Sequence, residues 1–252
     1  MAKLAKRSAR EETGLFLVEG PQAVSEALAF RAALVVDLFM TAVAMDRYAD
    51  ISRAAAASGI EPETVSEQVL ETMADTVTPQ GVVAVARQFP VTVKELLAGG
   101  SKLVAILDEV RDPGNAGTII RAADAAGADG VILTGKSVDA YNPKVVRSTT
   151  GSLFHVAIAQ GGELDAAVKA VKHAGMRVLA ADIAGDDLPT MRDRLPEPTA
   201  WLFGNEAHGL TDESLRFADA VVKVPIYGHA ESLNLATAAS VCLYESAFAQ
   251  RA

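Results

Sequence analysis

Hydrophobic and polar positions along this chain fall into blocks that switch between two periods. Residues 15–20, L-F-L-V-E-G, form an apolar run closed by glycine, which predicts a buried strand. Pro21 follows where a first helical turn tolerates proline, and A-V-S-E-A-L-A-F continues at helical spacing. A strand over 34–40, an alanine-rich helix over 43–58, helical spacing through S-E-Q-V-L-E-T-M-A-D and a strand over 82–87 complete a first block. This block, residues 1–88, reads as a small α/β unit with its own core.

Phe89-Pro90 and the stretch to Gly99-Gly100 read as a linker, 89–100, carrying one short helix at 92–98. From residue 101 the pattern changes. L-V-A-I-L at 103–107 is apolar on both faces, as a strand covered by helices on each side must be. Further strands are predicted at 130–133, 154–158, 176–182, 200–204 and 220–225. Helices lie between them at 115–126, 143–150, 162–174, 211–217 and 234–250. Strand and helix alternate, which predicts an open, mostly parallel α/β sheet over 101–252.

Composition narrows the class. Of 252 residues 50% are hydrophobic and 22% charged, enough apolar material for packed cores. Asp, Arg or Gly interrupts every apolar run well short of a bilayer span, so no membrane segment is expected. The basic opening M-A-K-L-A-K-R-S-A-R-E-E has no apolar stretch after it and does not read as a signal peptide. One cysteine, Cys242, sits in a helical apolar context and is assigned to packing. These features place the protein in the cytoplasm. A net charge of −9 argues against a general nucleic-acid coat. Basic residues cluster locally instead: Lys3, Lys6, Arg7 and Arg10, then Arg111, Arg121, Lys136, Lys144 and Arg147.

In parallel sheets ligands sit beyond the carboxyl ends of the strands, and three loops there are unusual. The first, D-E-V-R-D-P-G-N-A-G-T-I-I-R at 108–121, places Asn115 and Gly117 at a helix start and Arg121 further along. Asn115 serves equally well as a helix cap or as a functional group. The loop matches neither the dinucleotide fingerprint nor the P-loop, so a nucleotide-binding oxidoreductase is disfavoured. The second, L-F-G-N-E-A-H-G-L at 202–210, carries Glu206 in a glycine-flanked turn. His208 has no second His or Cys at ligand spacing, and no metal is expected. The third, V-P-I-Y-G-H-A-E-S-L-N-L-A-T-A-A-S at 224–240, sets Ser232 and Asn234 before an alanine-rich helix. Ser232 is read as the helix cap, which leaves Asn234, inside the first turn, without a role.

Taken together, the three loops resemble the signature motifs of the SpoU (TrmH) family of RNA ribose 2′-O-methyltransferases in the SPOUT superfamily. The likeness runs through Asn115, Gly117 and Arg121, through Phe203-Gly204-Asn205-Glu206 and Gly209-Leu210, and through Pro225, Gly228 and Ser232-Leu233-Asn234. The stretch at 142–156 resembles a family segment too, and R-S-A-R-E-E-T-G-L-F-L-V-E-G resembles a ribosomal-protein-like RNA-binding domain. The resemblance implies a trefoil knot in the C-terminal sheet and S-adenosylmethionine as cofactor. Phe203, Gly204, Val224, Ile226, Leu233 and Asn234 would bind the cofactor. Arg121, Asn115, Glu206, Ser232 and Asn234 would serve catalysis, with Glu206 pairing either with Arg121 or with a neighbouring donor. It further implies a homodimer through the C-terminal domain and an RNA substrate, ribosomal RNA being preferred over transfer RNA. A catalytically inactive RNA-binding protein of the same fold is the alternative. The N-terminal basic cluster, Lys3 to Arg10, would contact RNA phosphates.

Overall fold

The computed structural model describes residues 2–252. Contacts group the chain into two compact units. One comprises residues up to Phe89 together with Asp139–His155; the other comprises Pro90–Val138 with Val156–Ala252.

The first unit carries helix α1 (Arg7–Thr13), strand β1 (Leu15–Glu19), α2 (Pro21–Arg31), β2 (Val35–Met40), α3 (Ala42–Arg47), α4 (Ala49–Ala57), β3 (Glu63–Thr64), α5 (Glu67–Met73) and β4 (Val82–Arg87). Its sheet has the order β1-β4-β2-β3, with β4 antiparallel to both β1 and β2 and β3 parallel to β2. The single helix expected over 43–58 is two, α3 and α4, broken at Tyr48. Thr41 caps α3 by accepting the Ala44 N–H at 3.2 Å.

In the second unit, α6 (Val93–Leu97), β5 (Leu103–Asp108), α7 (Pro113–Ala126) and β6 (Gly130–Thr134) follow in order. Helix α8 (Pro143–Thr149) lies in the segment that joins the first unit. The second unit resumes with β7 (Ala157–Gln160), α9 (Leu164–His173), β8 (Arg177–Asp187), β9 (Thr199–Phe203), α10 (Asp212–Leu215), β10 (Ala220–Lys223) and α11 (Leu235–Arg251). All six strands are parallel, in the order β10-β8-β9-β5-β6-β7. Residues 103–107 of β5 are fully buried, as their two-faced apolar run requires. Ile106, Ile132, Val178 and Leu202, from four neighbouring strands, form the heart of one core layer. Trp201 on β9 donates its indole N–H to Ser246 on α11 at 2.8 Å, satisfying a buried polar group while fixing the last helix to the sheet. The strand expected at 154–158 starts later, at Ala157, because Ser152–Phe154 form a 3₁₀ turn.

The segment Asp139–His155, which the sequence pattern places with the second domain, packs instead into the first unit. Three kinds of contact hold it there. Rings of Phe16, Phe89, Tyr141 and Phe154 cluster, with Phe16 and Tyr141 centroids 4.8 Å apart. Arg147 pairs with Glu19 at 3.2 Å. Arg10 pairs with Asp139 at 2.6 Å and donates to the carbonyls of Leu4 and Ala5 at 2.9 Å. That last contact corrects one expectation. Arg10 is 1% exposed and fully engaged within the fold, so it cannot meet an RNA phosphate. The reason is geometric: on α1 it faces inward, one turn after the outward Arg7, which pairs with Glu11. Lys3, Lys6 and Arg7 stay exposed.

Candidate functional site

The three loops leave the carboxyl ends of β5, β9 and the edge strand β10 and meet in the second unit. The first leaves β5 through Glu109, whose φ of 55° is left-handed and unusual for a residue with a side chain. The Glu109 carboxylate accepts from Arg111 Nη2 at 2.7 Å and from the Lys136 N–H at 2.8 Å. The Arg111 guanidinium, with the Lys136 amide, holds this carboxyl below its ordinary range. Asp112 then caps α7, accepting the Asn115 N–H at 2.7 Å, with Pro113 in the first turn.

The second loop follows β9 and turns back at once. Asn205 and Gly209 exchange both backbone hydrogen bonds, at 3.1 and 2.8 Å. Gly204 is required here: a Cβ on it would lie 2.5–2.6 Å from the backbone of Gly209 and Leu210. The Asn205 side chain does two jobs. Its Oδ1 accepts the N–H groups of Ala207 and His208, and its Nδ2 donates to the Glu109 carbonyl at 2.8 Å. Glu206 makes a second strap to the first loop, accepting the N–H of Arg111 at 3.2 Å and of Asp112 at 3.0 Å. Of the two partners expected for Glu206, the structure therefore selects neighbouring donors rather than Arg121.

The third loop ends at Asn234, and here an expectation is corrected. Asn234, not Ser232, caps α11: its Oδ1 accepts the N–H of Ala236 at 2.9 Å and of Thr237 at 3.3 Å. The helix begins only at Leu235, so Asn234 is the last residue with extended backbone, and Ser232 is two positions too early to reach the free N–H groups. The remaining Asn234 group, Nδ2, donates to Asn115 Oδ1 at 3.0 Å. One asparagine thus caps a helix and joins the third loop to the first. Arg121 lies further along α7, exposed, and among the described residues no hydrogen bond or ion pair holds its guanidinium.

Beside these loops lies a cleft of about 510 Å³. Phe203, Val224, Ile226 and Leu233 line it, four of the six residues expected at a cofactor, together with Glu206 and Ser232. Gly204 and Asn234 stand behind its wall as backbone-shaping residues, and Asn115 and Arg121 lie outside it. Two lining residues carried no signal in the sequence reading: Asp182 on β8 and Lys223 on β10. Only the folding of the sheet brings them here, since Asp182 and Lys223 stand 41 positions apart in sequence, on strands adjacent in space. Asn205 was visible within the second motif, but its strapping role required the structure.

A six-stranded parallel sheet with a ligand-sized, mainly apolar cleft, walled at its strand ends by β8 and by the second and third loops, defines an α/β enzyme of the small-cofactor class. Residues 102–244 match the SpoU rRNA Methylase family, and residues 1–84 match the MRM3-like substrate binding domain. The chain belongs to the SpoU family. The 23S rRNA (guanosine(2553)-2′-O)-methyltransferase RlmP of Bacillus subtilis is 35% identical over 242 residues, 96% of this chain and 92% of that protein. An AdoMet-bound rRNA methyltransferase from Sinorhizobium meliloti has a similar structure, with a TM-score of 0.81 at 32% identity over 97% of this chain and 91% of that one. The SpoU methyltransferase AviRb from Streptomyces viridochromogenes, in complex with AdoMet, gives 0.83 at 33% identity over 99% and 96%.

Proposed function

We propose that this protein transfers a methyl group from S-adenosylmethionine to a ribose 2′-hydroxyl of ribosomal RNA, acting as a cytoplasmic homodimer. The observation that carries the reading is the mutual strapping of three motif loops beside one cleft that the second and third of them line: Glu206 and Asn205 to the first loop, Asn234 to Asn115.

The cleft fits the cofactor. Its volume lies within the about 300–1,000 Å³ usual for small-molecule sites. Phe203, Val224, Ile226 and Leu233 offer apolar surface to an adenine and a thioether, and Gly204 keeps the backbone of the wall close and free of side chain. When bound, S-adenosylmethionine supplies an electrophilic methyl on a sulfonium sulfur. The chain's own residues must then orient the ribose and raise the nucleophilicity of its hydroxyl oxygen. Arg121 carries an exposed guanidinium, which donates and does not accept hydrogen bonds, so its role is to hold a substrate phosphate by charge, and the hydroxyl proton would pass to solvent as the oxygen takes the methyl group. The Asn115–Asn234 pair fixes the start of α7, and with it the position from which Arg121 projects. Ser232, exposed on the rim, offers a hydroxyl to the substrate.

Helix α11 supports the dimer. Phe248 is 65% exposed, and the Tyr244 ring lies tilted beside it with centroids 5.5 Å apart. Together with Val241 they form an apolar stripe on an otherwise well-buried helix. The same helix would contribute to the trefoil knot. Exposed Lys3, Lys6 and Arg7 of the first unit supply phosphate contacts, and no described helix is long and apolar enough to cross a membrane. Mapping ribose methylation by mass spectrometry in ribosomal RNA from cells with and without the gene tests the reading. One 2′-O-methyl site should vanish with the gene; an unchanged map would refute it.

A further inference from the structure

Six side chains on the cleft wall are polar, Asp182, Asn205, Glu206, His208, Lys223 and Ser232, and three of them, Asn205, Glu206 and Lys223, are tied to partners within the fold. Both oxygens of Glu206 accept backbone N–H groups of the first loop, and Lys223 pairs with Asp187 at 3.4 Å. Asp182 differs. Its Oδ1 accepts the Ala184 N–H at 2.9 Å, an Asx turn that fixes the carboxylate's direction. Its Oδ2 lies beside Gly209, 3.4 Å from where that residue would carry a Cβ, on the same cleft wall. Among the described residues no donor reaches Oδ2.

The backbone around Asp182 is built to place it there. β8 pairs with β9 only through Ala180. Its register with β10 then jumps from Ala180 opposite Val221 to Asp186 opposite Val222. Residues 181–185 therefore leave both ladders and form a bulge over the cleft, a device that re-aims a side chain beside a site. The bulge is anchored where Gly185 meets the backbone of Val221 and Val222, a contact that leaves no room for a Cβ.

We infer that Asp182 is a specificity residue for the cofactor, its Oδ2 accepting hydrogen bonds from the vicinal hydroxyls of the adenosyl ribose. This rests on the cofactor reading above. A carboxylate at a strand end is the acceptor that parallel α/β folds use for a ribose diol. Both oxygens of the other cleft carboxylate, Glu206, are turned toward the backbone of the first loop, which leaves Asp182 as the carboxylate with an unengaged oxygen on the cleft wall. The apolar side chains suit the adenine and the thioether and offer nothing to hydroxyl donors, whereas the free Asp182 oxygen gives the diol a charged acceptor.

The test is titration calorimetry of the full chain with S-adenosylmethionine, S-adenosylhomocysteine and 5′-methylthioadenosine, which keeps the ribose but lacks the amino-acid portion. Asp182→Asn keeps an oxygen for the Ala184 turn and replaces the charged acceptor with an amide. It should weaken all three ligands alike, by about tenfold or more, the scale of a lost hydrogen bond to a charged group, at unchanged melting temperature. Asp182→Ala should weaken them further. A loss confined to the two ligands that carry an ammonium group would move Asp182 to that group and overturn the ribose assignment. Equal affinities in wild type and variants would reduce the residue to a turn former. If the wild-type chain binds none of the three, the cofactor reading itself fails, a result visible before any variant is examined.

Discussion

Asn234 shows how much one side chain can do at a junction. Its oxygen caps α11 and its amide nitrogen reaches Asn115 across 119 positions of sequence. The two functions separate by substitution. Asn234→Asp keeps the cap and loses the donor, so methyl transfer should fall at least tenfold while the melting temperature holds. Asn234→Ala loses both, and urea unfolding should show a further cost of about 1 kcal/mol. Arg10 is the opposite case, a basic residue whose charge never leaves the fold. Removing it strands the nearly buried Asp139, so Arg10→Ala should destabilise the protein by about 3–5 kcal/mol in denaturant titration. Cys242 gives a pH prediction. Burial pushes its thiol from 9.0 up to about 12. The folded value lies above the unfolded one, so the buried neutral thiol's contribution to stability is complete below pH 9 and is lost as pH rises toward 12. At pH 8 the native protein should therefore resist thiol-labelling reagents, and unfolded protein should react at once. The sequence marked the loops that meet in the fold but misassigned the cap. Ser232 and Asn234 are both good caps, and only the helix start, set by tertiary packing, decides between them.

Among the elements, the strands were the most legible, because β5, β6 and β9 are buried on both faces and so apolar throughout. The short helix α6 was legible for a different reason: Thr92 and Glu95 form a reciprocal capping box. What the pattern could not give was the bulge in β8, since a run of A-D-I-A-G-D-D has no period that distinguishes a strand from a loop. Nor could it give the straps between the first and second loops, which depend on two strands adjacent in space but separated by almost 100 positions. Those straps have a measurable consequence. Gly204→Ala forces a Cβ into the Gly209–Leu210 backbone, where no side chain can yield. The loop must open, and S-adenosylmethionine binding measured by calorimetry should be lost while the far-UV circular dichroism of the sheet persists.

For the molecule as a whole, charge and surface must be reconciled with an RNA substrate. A net charge of −9 leaves binding to local basic groups, so affinity for RNA should be modest and strongly salt-dependent. The proposed dimer through α11 would give the exposed Arg121 a partner surface to address. Replacing Phe248 and Tyr244 together by glutamate should shift the sedimenting species from dimer to monomer and lower activity in step. The division of the chain was only partly readable: segment 139–155 carries family-like sequence, yet Arg147 and the Tyr141 and Phe154 rings bind it to the first unit. The most direct measurement is a reconstituted reaction. Purified protein, S-adenosylmethionine with a labelled methyl group and ribosomal RNA lacking the modification are combined, and the RNA is digested to nucleosides for mass spectrometry. The label should appear in a 2′-O-methylated nucleoside, and the signal should disappear with Arg121→Ala. Label on a nucleobase, or none on RNA that the protein demonstrably binds, would contradict the account.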